Sequence, residues 1–318
     1  MSPELLAPFS FLVDPSSRLF FGCILSSLVL ASVVYSLQKG RFDWQAQLTA
    51  LLDAQYWFNR STATDIALLV TNNAIRVLIL VPLIGSHIWL TLAAGRYLQS
   101  SLGDAPELAF PAAAIALAYT LTFFVVEDGS RFSLHWLMHR VPWLWRLHKV
   151  HHGATNLTPL TLFRLHPLES ILYFVRGALV FSAVSGTFIW LFGRELNTWH
   201  ILGVDLLGFL FNMLGSNLRH SHVWMTFGPL ERWFISPAQH QIHHSSQHRN
   251  ANLGTCLTIW DRMIGNHLTA YAIVSTTEPY KTQTMHPYLE FGLQEHAPAS
   301  VGSHFVARNG LPIKNFVA

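Results

Sequence analysis

No charged residue occurs between Leu19 and Leu37, and a run of that length narrows the choice of fold before anything else is read. At roughly 1.5 Å per residue, a helix over it would cross most of a bilayer's hydrocarbon, about 30 Å thick. More apolar runs follow. One lies within Ala74–Ala94 and carries Arg76, which can snorkel to the interface. One runs from about Leu108 to Val126, and one covers Ile171–Phe192 with Arg176 near its start. A fifth, over Thr198–Leu214, is shorter and weakened by His200 and Asp205. In lipid the backbone must satisfy its own hydrogen bonds, so such runs read as helices. Composition agrees: 51% of residues are hydrophobic and 12% charged, where soluble domains carry roughly 25% charged residues. The chain therefore reads as an all-α integral membrane protein with four to five transmembrane helices.

The regions between the runs set its organisation. Met1–Arg18 has no basic segment ahead of an apolar core, so it does not read as a signal peptide. Phe42, Trp44, Leu48, Leu51, Leu52, Tyr56 and Trp57 recur at near-helical spacing, which suits an interfacial helix or one packed on a cytosolic domain. The fourth and fifth runs are joined only by Gly193–Asn197 and read as a tight hairpin. With five spans, Lys/Arg bias places the segments around 39–60, 128–166 and beyond 216 inside. Only Arg18, Arg96 and Arg194 remain outside. The expected division is a membrane anchor over 1–127, a catalytic region over 128–267 containing the hairpin at about 171–214, and a cytosolic tail over 268–318. A net charge of +3 gives no reason to expect nucleic acid, and two cysteines, Cys23 and Cys256, exclude a disulfide framework or a cysteine-rich metal site.

Histidine carries the chemistry. Of eighteen histidines, thirteen fall between His135 and His248, so they are concentrated and not scattered. His135 and His139 stand four apart and share a helix face. His148, His151 and His152 follow at i, i+3 and i+4, after Pro142 at a natural first helical position and before Gly153 at a natural stop. The same HxxHH pattern returns as His240, His243 and His244, after Ser236 as N-cap and Pro237. His220 and His222 precede this second copy. Neutral imidazole suits iron, zinc and copper, and one zinc needs about four ligands. Nine motif histidines exceed one zinc and suit two metals of higher coordination. A membrane metal transporter or metal sensor remains a rival reading, although transporters place ligands near mid-span. HExxH is absent, which weighs against a zinc hydrolase.

These motifs resemble the fatty acid hydroxylase/sterol desaturase superfamily of membrane di-iron oxidoreductases. The matching pieces run from Asp128 ahead of HWLMHR, through PWLWRLHKVHH, HPLES at His166–Ser170, HSHV at His220, SPAQHQIHH and NLG at Asn252–Gly254, to WDRMIG at Trp260–Gly265. The resemblance implies a helical anchor bearing a cytosolic histidine-rich cap, two irons, O₂ as oxidant and a membrane lipid as substrate. Members hydroxylate, desaturate, or oxidise methyl groups or ether-linked alkyl chains; hydroxylation is the reading taken here, with a desaturase as alternative. The implied ligands are His135, His139, His148, His151, His152, His220, His240, His243 and His244. His166 and His222 are further candidates, the latter at a position where many members have Asn. Asp128 and Asp261 are expected to accept the second N–H of metal-bound imidazoles. The chain has no dinucleotide fingerprint and no cysteine set for an iron–sulfur centre, and Leu168-Glu169 follows His166-Pro167 where a fused cytochrome b5 would have paired glycines. Electrons are therefore expected from an external ferredoxin or cytochrome, docking near Arg140, Arg146 and Lys149. The membrane would be the plasma or inner membrane of a bacterium or the endoplasmic reticulum of a eukaryote.

Overall fold

The computed structural model describes residues 12–15, 17–84, 87–193, 200–201, 204–270 and 289–293. Among the described residues, four helices are long and apolar enough to cross a membrane: Phe21–Lys39, Arg60–Leu83, Ala112–Arg140 and Pro167–Phe192. We label the helices in chain order: α1 (Phe21–Lys39), α2 (Trp44–Leu51), α3 (Ala54–Trp57), α4 (Arg60–Ile75), α5 (His87–Leu102), α6 (Ala112–Arg140) and α7 (Pro142–His152). Then come α8 (Pro167–Phe192), α9 (Leu206–Met213), α10 (Pro237–His244) and α11 (Ile259–Ile264). A π-turn at Arg76–Leu80 carries α4 onward to Ile84. The only ladder among the described residues is a two-residue pair, His200–Ile201 with Val204–Asp205.

Three expectations about the spans change. The second span begins earlier, because α4 starts at Arg60 and its first turns belong to the cap: Arg164 bridges Ser61 and Asp65, and Asn72 Nδ2 donates to the Leu165 carbonyl at 2.9 Å. The run at 198–214 is not a spanning helix. Its described part is the short ladder and the eight-residue α9, about 12 Å long. Arg194, Glu195 and the rest of the joining turn after Gly193 lie outside the described residues. Arg18, counted above as outside, sits on the histidine side: its carbonyl accepts from Asn217 Nδ2 at 2.9 Å, three residues before His220. The other end of α1 also meets that segment, through Gln38 Nε2 and the Trp224 carbonyl at 3.0 Å. Phe21, Leu25, Val29, Val33 and Leu37 line the opposite, exposed stripe of α1. Their four-residue spacing gives lipid one continuous face.

Helix length places the histidines. The 29 residues of α6 extend about 43 Å, longer than the hydrocarbon, so its last turns project beyond it with His135 and His139. α6 and α8 pack through Tyr119, Val184 and Phe188, with Tyr119 Oη and Ser185 Oγ 2.8 Å apart. α8 also packs closely on α5. A Cβ at Gly186 would come 2.7 Å from Ala94 Cβ and 2.9 Å from the Thr91 carbonyl, so only glycine permits that approach.

In the cap, local signals work as read. Pro142 opens α7. Ser236 and Gln239 form a reciprocal capping box at α10, which satisfies two end donors at once. Arg164 then ties down the end of α7, with Nε donating to the Val150 carbonyl at 2.9 Å and Nη2 to Gly153 at 3.1 Å, while Nη1 pairs with the fully buried Asp65 at 3.1 Å. A cation at a helix C-terminus is favoured by the dipole.

Candidate metal centre

All nine motif histidines converge, in two groups. His135, His139, His148, His152 and His243 form one; His151, His220, His240 and His244 form the other. Within each group the ligand atoms lie within 4.8 Å of one another. The two groups adjoin, with the ring centroids of His152 and His244 4.8 Å apart. Helix geometry explains the division. His148 and His152, at i and i+4, stay on one stripe of α7 and enter the first group; His151, between them, faces the second. In α10 the roles reverse: His240 and His244 enter the second group and His243 the first. Each HxxHH motif thus serves both groups, where the sequence reading placed its three histidines on one face.

Neighbouring groups fix three of the five imidazoles of the first group. His148 Nδ1 donates to Glu169 Oε1 at 2.6 Å, His135 Nδ1 to the Leu253 carbonyl at 2.7 Å and His243 Nδ1 to the Ala251 carbonyl at 2.9 Å. Carboxylates and carbonyls only accept, so the proton of each ring sits on Nδ1 and Nε2 keeps a free lone pair. His135 Nε2 and His148 Nε2 then face each other at 3.0 Å with no proton between them. The second group repeats this separation, with His220 Nε2 at 3.0 Å from Nε2 of both His240 and His244. Two lone pairs at that distance repel unless a cation lies between. Two ligands about 2.1 Å from a metal and at right angles to each other are about 3.0 Å apart. Buried ring nitrogens without a partner among the described residues include both of His139, Nε2 of His152 and His243, and Nδ1 of His151 and His240. The donor set fits two metal ions.

Electrostatics favours the same state. Burial pushes His148 and His151 down to about 3. It also holds His152, His220, His240, His243 and His244 well below the ordinary imidazole range, with neighbouring imidazoles adding to the effect. These side chains are neutral near pH 7, the form that ligates.

The other expected residues fall elsewhere. Asp128 accepts from the amides of Cys256 and Leu257 and from Trp260 Nε1, at 2.8–3.0 Å. Asp261 accepts from the amides of Leu253 and Gly254, both at 2.7 Å. Neither takes an imidazole proton. They fold the NLG loop instead, and that loop presents the Leu253 carbonyl to His135. Gly254 is required there, since a Cβ would meet Asp261 Oδ2 at 2.8 Å. His166 lies in neither group and caps α8, its Nδ1 accepting from Leu168 N at 3.2 Å. His222 also lies outside both groups, edge-on to Tyr56 with centroids 4.6 Å apart. Glu169 was missed. Its signal was available as an acidic residue in the first turn of an apolar helix, a costly position unless paired.

Two cavities reach the groups. One, of about 790 Å³, is bordered by His135 and His148 of the first group and His151, His220 and His240 of the second. The other, of about 380 Å³, is bordered by His152 and His244 and by Trp145, Arg146, Lys149 and Arg249.

Residues 120–266 match the family model described as fatty acid hydroxylase. Among curated relatives, ornithine lipid hydroxylase OlsE of Rhizobium tropici is 27% identical over 44% of this chain and 39% of its own. Alkylglycerol monooxygenase of Homo sapiens is 25% identical over 51% and 35%, and cholesterol 25-hydroxylase of Homo sapiens 30% identical over 52% and 56%. The matches thus span between about a third and somewhat over half of those relatives. No solved structure matches the chain. Residues 120–266, which hold all nine converging histidines, are thus the part of the chain that is similar to the fatty acid hydroxylase family.

Proposed function

We propose that this protein is a membrane-bound di-iron oxygenase that hydroxylates a lipid. The observation that carries the reading is the pair of adjoining histidine groups, each with imidazole Nε2 atoms facing one another at 3.0 Å, unprotonated between His135 and His148. His135, His139, His148, His152 and His243 would hold one iron and His151, His220, His240 and His244 the other. Bound and reduced, the irons supply the activation of O₂ that attack on an unactivated C–H bond requires. The chain's own part is to keep nine imidazoles neutral and oriented, through Glu169 and the Leu253 and Ala251 carbonyls. The larger cavity would receive the lipid, since it touches both groups and is bordered by Leu69, Val77 and Val81 of the α4 segment. The names of the relatives favour hydroxylation over desaturation.

Electrons would come from an external ferredoxin or cytochrome docking on the basic face at Arg140, Arg146 and Lys149. The smaller cavity supports this site. The Trp145 ring lies 5.1 Å from His139 and 5.5 Å from His152, and the Arg249 guanidinium lies over the same ring, 5.3 Å from its centroid. The Lys and Arg residues grouped at Arg131, Arg140, Arg146, Lys149 and Arg164 support a cytoplasmic position for this face.

Three measurements test the reading. Protein purified anaerobically should carry about two irons per chain; one zinc and no iron would end it. Under ¹⁸O₂ the lipid product should gain one heavy oxygen. Oxygen drawn only from water would exclude an oxygenase, and a new double bond without oxygen would turn the reading to a desaturase. Accessibility labels near Arg140 and Arg249 should report the cytoplasmic side together.

A further inference from the structure

The cavity that reaches both histidine groups is more cationic than a hydrocarbon pocket needs. Arg18, Arg76, Arg131 and Arg219 border it, against one carboxylate among its described lining residues, Asp14. Arg131 is accounted for, because its Nε pairs with Glu127 at 2.8 Å. Arg18 and Arg219 are not. Their guanidiniums lie over the same ring, Phe211, at 5.4 and 5.5 Å. Neither pairs with a carboxylate among the described residues. Arg219 is only 3% exposed, makes one long hydrogen bond, Nη2 to the Gly254 carbonyl at 3.3 Å, and leaves Nε without a partner. The nearby Asp128 and Asp261 are occupied by backbone amides.

Other arginines set the standard. Arg164 and Arg176, each tucked against the helices, both have a carboxylate and further acceptors. Two like charges sharing one ring repel each other, and although Asp128 and Asp261 act on Arg219 from nearby, neither forms an ion pair with it. Burial, Arg219 and then Arg131 together push Arg18 down to about 9. A guanidinium offers five donors in a planar fork suited to an oxyanion, and here most are unused. The pair stands beside the second histidine group, since Arg219 directly precedes His220 in the chain.

We propose that Arg18 and Arg219 receive an anionic oxyacid group, a carboxylate or a phosphate, on the lipid that this site takes. The anion would neutralise the pair and anchor the lipid next to His220 and His240, so that a carbon a few bonds from the charge lies at the metals. A neutral sterol or alkyl lipid would leave most of their donors unused. This inference rests on the lipid-oxygenase reading above for the identity of the cavity.

The test uses metal-free, full-length protein in mild detergent and measures binding without turnover. Radiolabelled palmitate is compared with methyl palmitate, and dipalmitoyl phosphatidic acid with dipalmitoylglycerol. At least one anionic lipid should bind about tenfold or more tightly than its neutral partner, as charged hydrogen bonds predict. The pair that shows the preference tells carboxylate from phosphate. Arg18→Gln, at the half-buried position, should abolish that preference and leave neutral-lipid binding unchanged. Arg219→Lys, which keeps the charge but loses the fork, should weaken it in part. Equal binding within both pairs, or a preference that survives Arg18→Gln, overturns the proposal. Anion binding without any ¹⁸O incorporation into lipid would sink the oxygenase reading and leave this one standing; oxygenation of a neutral lipid with no anionic preference would do the reverse.

Discussion

The two histidine groups are built alike and braced differently. In the first, His135, His148 and His243 each hand an Nδ1 proton to a buried acceptor, so their rings are aimed before any metal arrives. In the second, the contacts of His220, His240 and His244 are with one another, and Nδ1 of His151 and His240 finds no partner among the described residues. The second group is also the one beside the unpaired arginines. Outer partners orient ligands and raise their basicity. The difference therefore points to a firmly held ion in the first group and a more exchangeable one, nearer the lipid, in the second.

The largest test removes a ligand from each side. His243→Ala and His151→Ala should each reduce turnover to background, with iron falling from about two per chain toward one. Iron analysis with Mössbauer spectroscopy would tell which ion is lost; the same ion lost in both variants would break the division into two groups. Next comes the brace. Glu169→Ala should weaken iron at the first group by about 10–100-fold, read by anaerobic iron titration, whereas Glu169→Gln keeps an acceptor for His148 and should lose much less. Equal losses would show that charge, not orientation, is what Glu169 supplies. Without any mutation, a chelator should strip iron in two phases, the second group's ion leaving about tenfold faster. A single phase would remove the asymmetry. The smallest effect is at His166. His166→Ala should cost about 1 kcal/mol of stability through the lost cap of α8, seen as a lower melting temperature, with both irons retained. Loss of iron there would bring His166 back as a ligand.

Much of this was legible beforehand because it is local. Pro142, and Ser236 with Pro237, mark helix starts by their own backbone chemistry, and α7 and α10 begin where they indicate. The fifth run, already weakened in the sequence by His200 and Asp205, fails as a span because the ladder at His200–Asp205 leaves too few residues for a spanning helix. Asp128 and Asp261 were singled out as carboxylates that could accept an imidazole proton, and the structure shows both buried near the histidines. Burial and proximity are a shared signature of residues that hold a ligand and residues that hold a loop, and here they hold the loop.

The sequence by itself determined that the nine motif histidines follow apolar segments, and that histidines at i and i+4 share a helix face. That is a property of 3.6 residues per turn and needs no partner. Only the tertiary structure decided which pair opposes which, that Leu253, 118 residues from His135, supplies its acceptor, and that Arg18 stands beside Arg219. Those pairings depend on how α1, α6, α7, α8 and α10 pack against one another. Contacts between residues so far apart in the chain are set by the burial of whole helices, which no local spacing encodes.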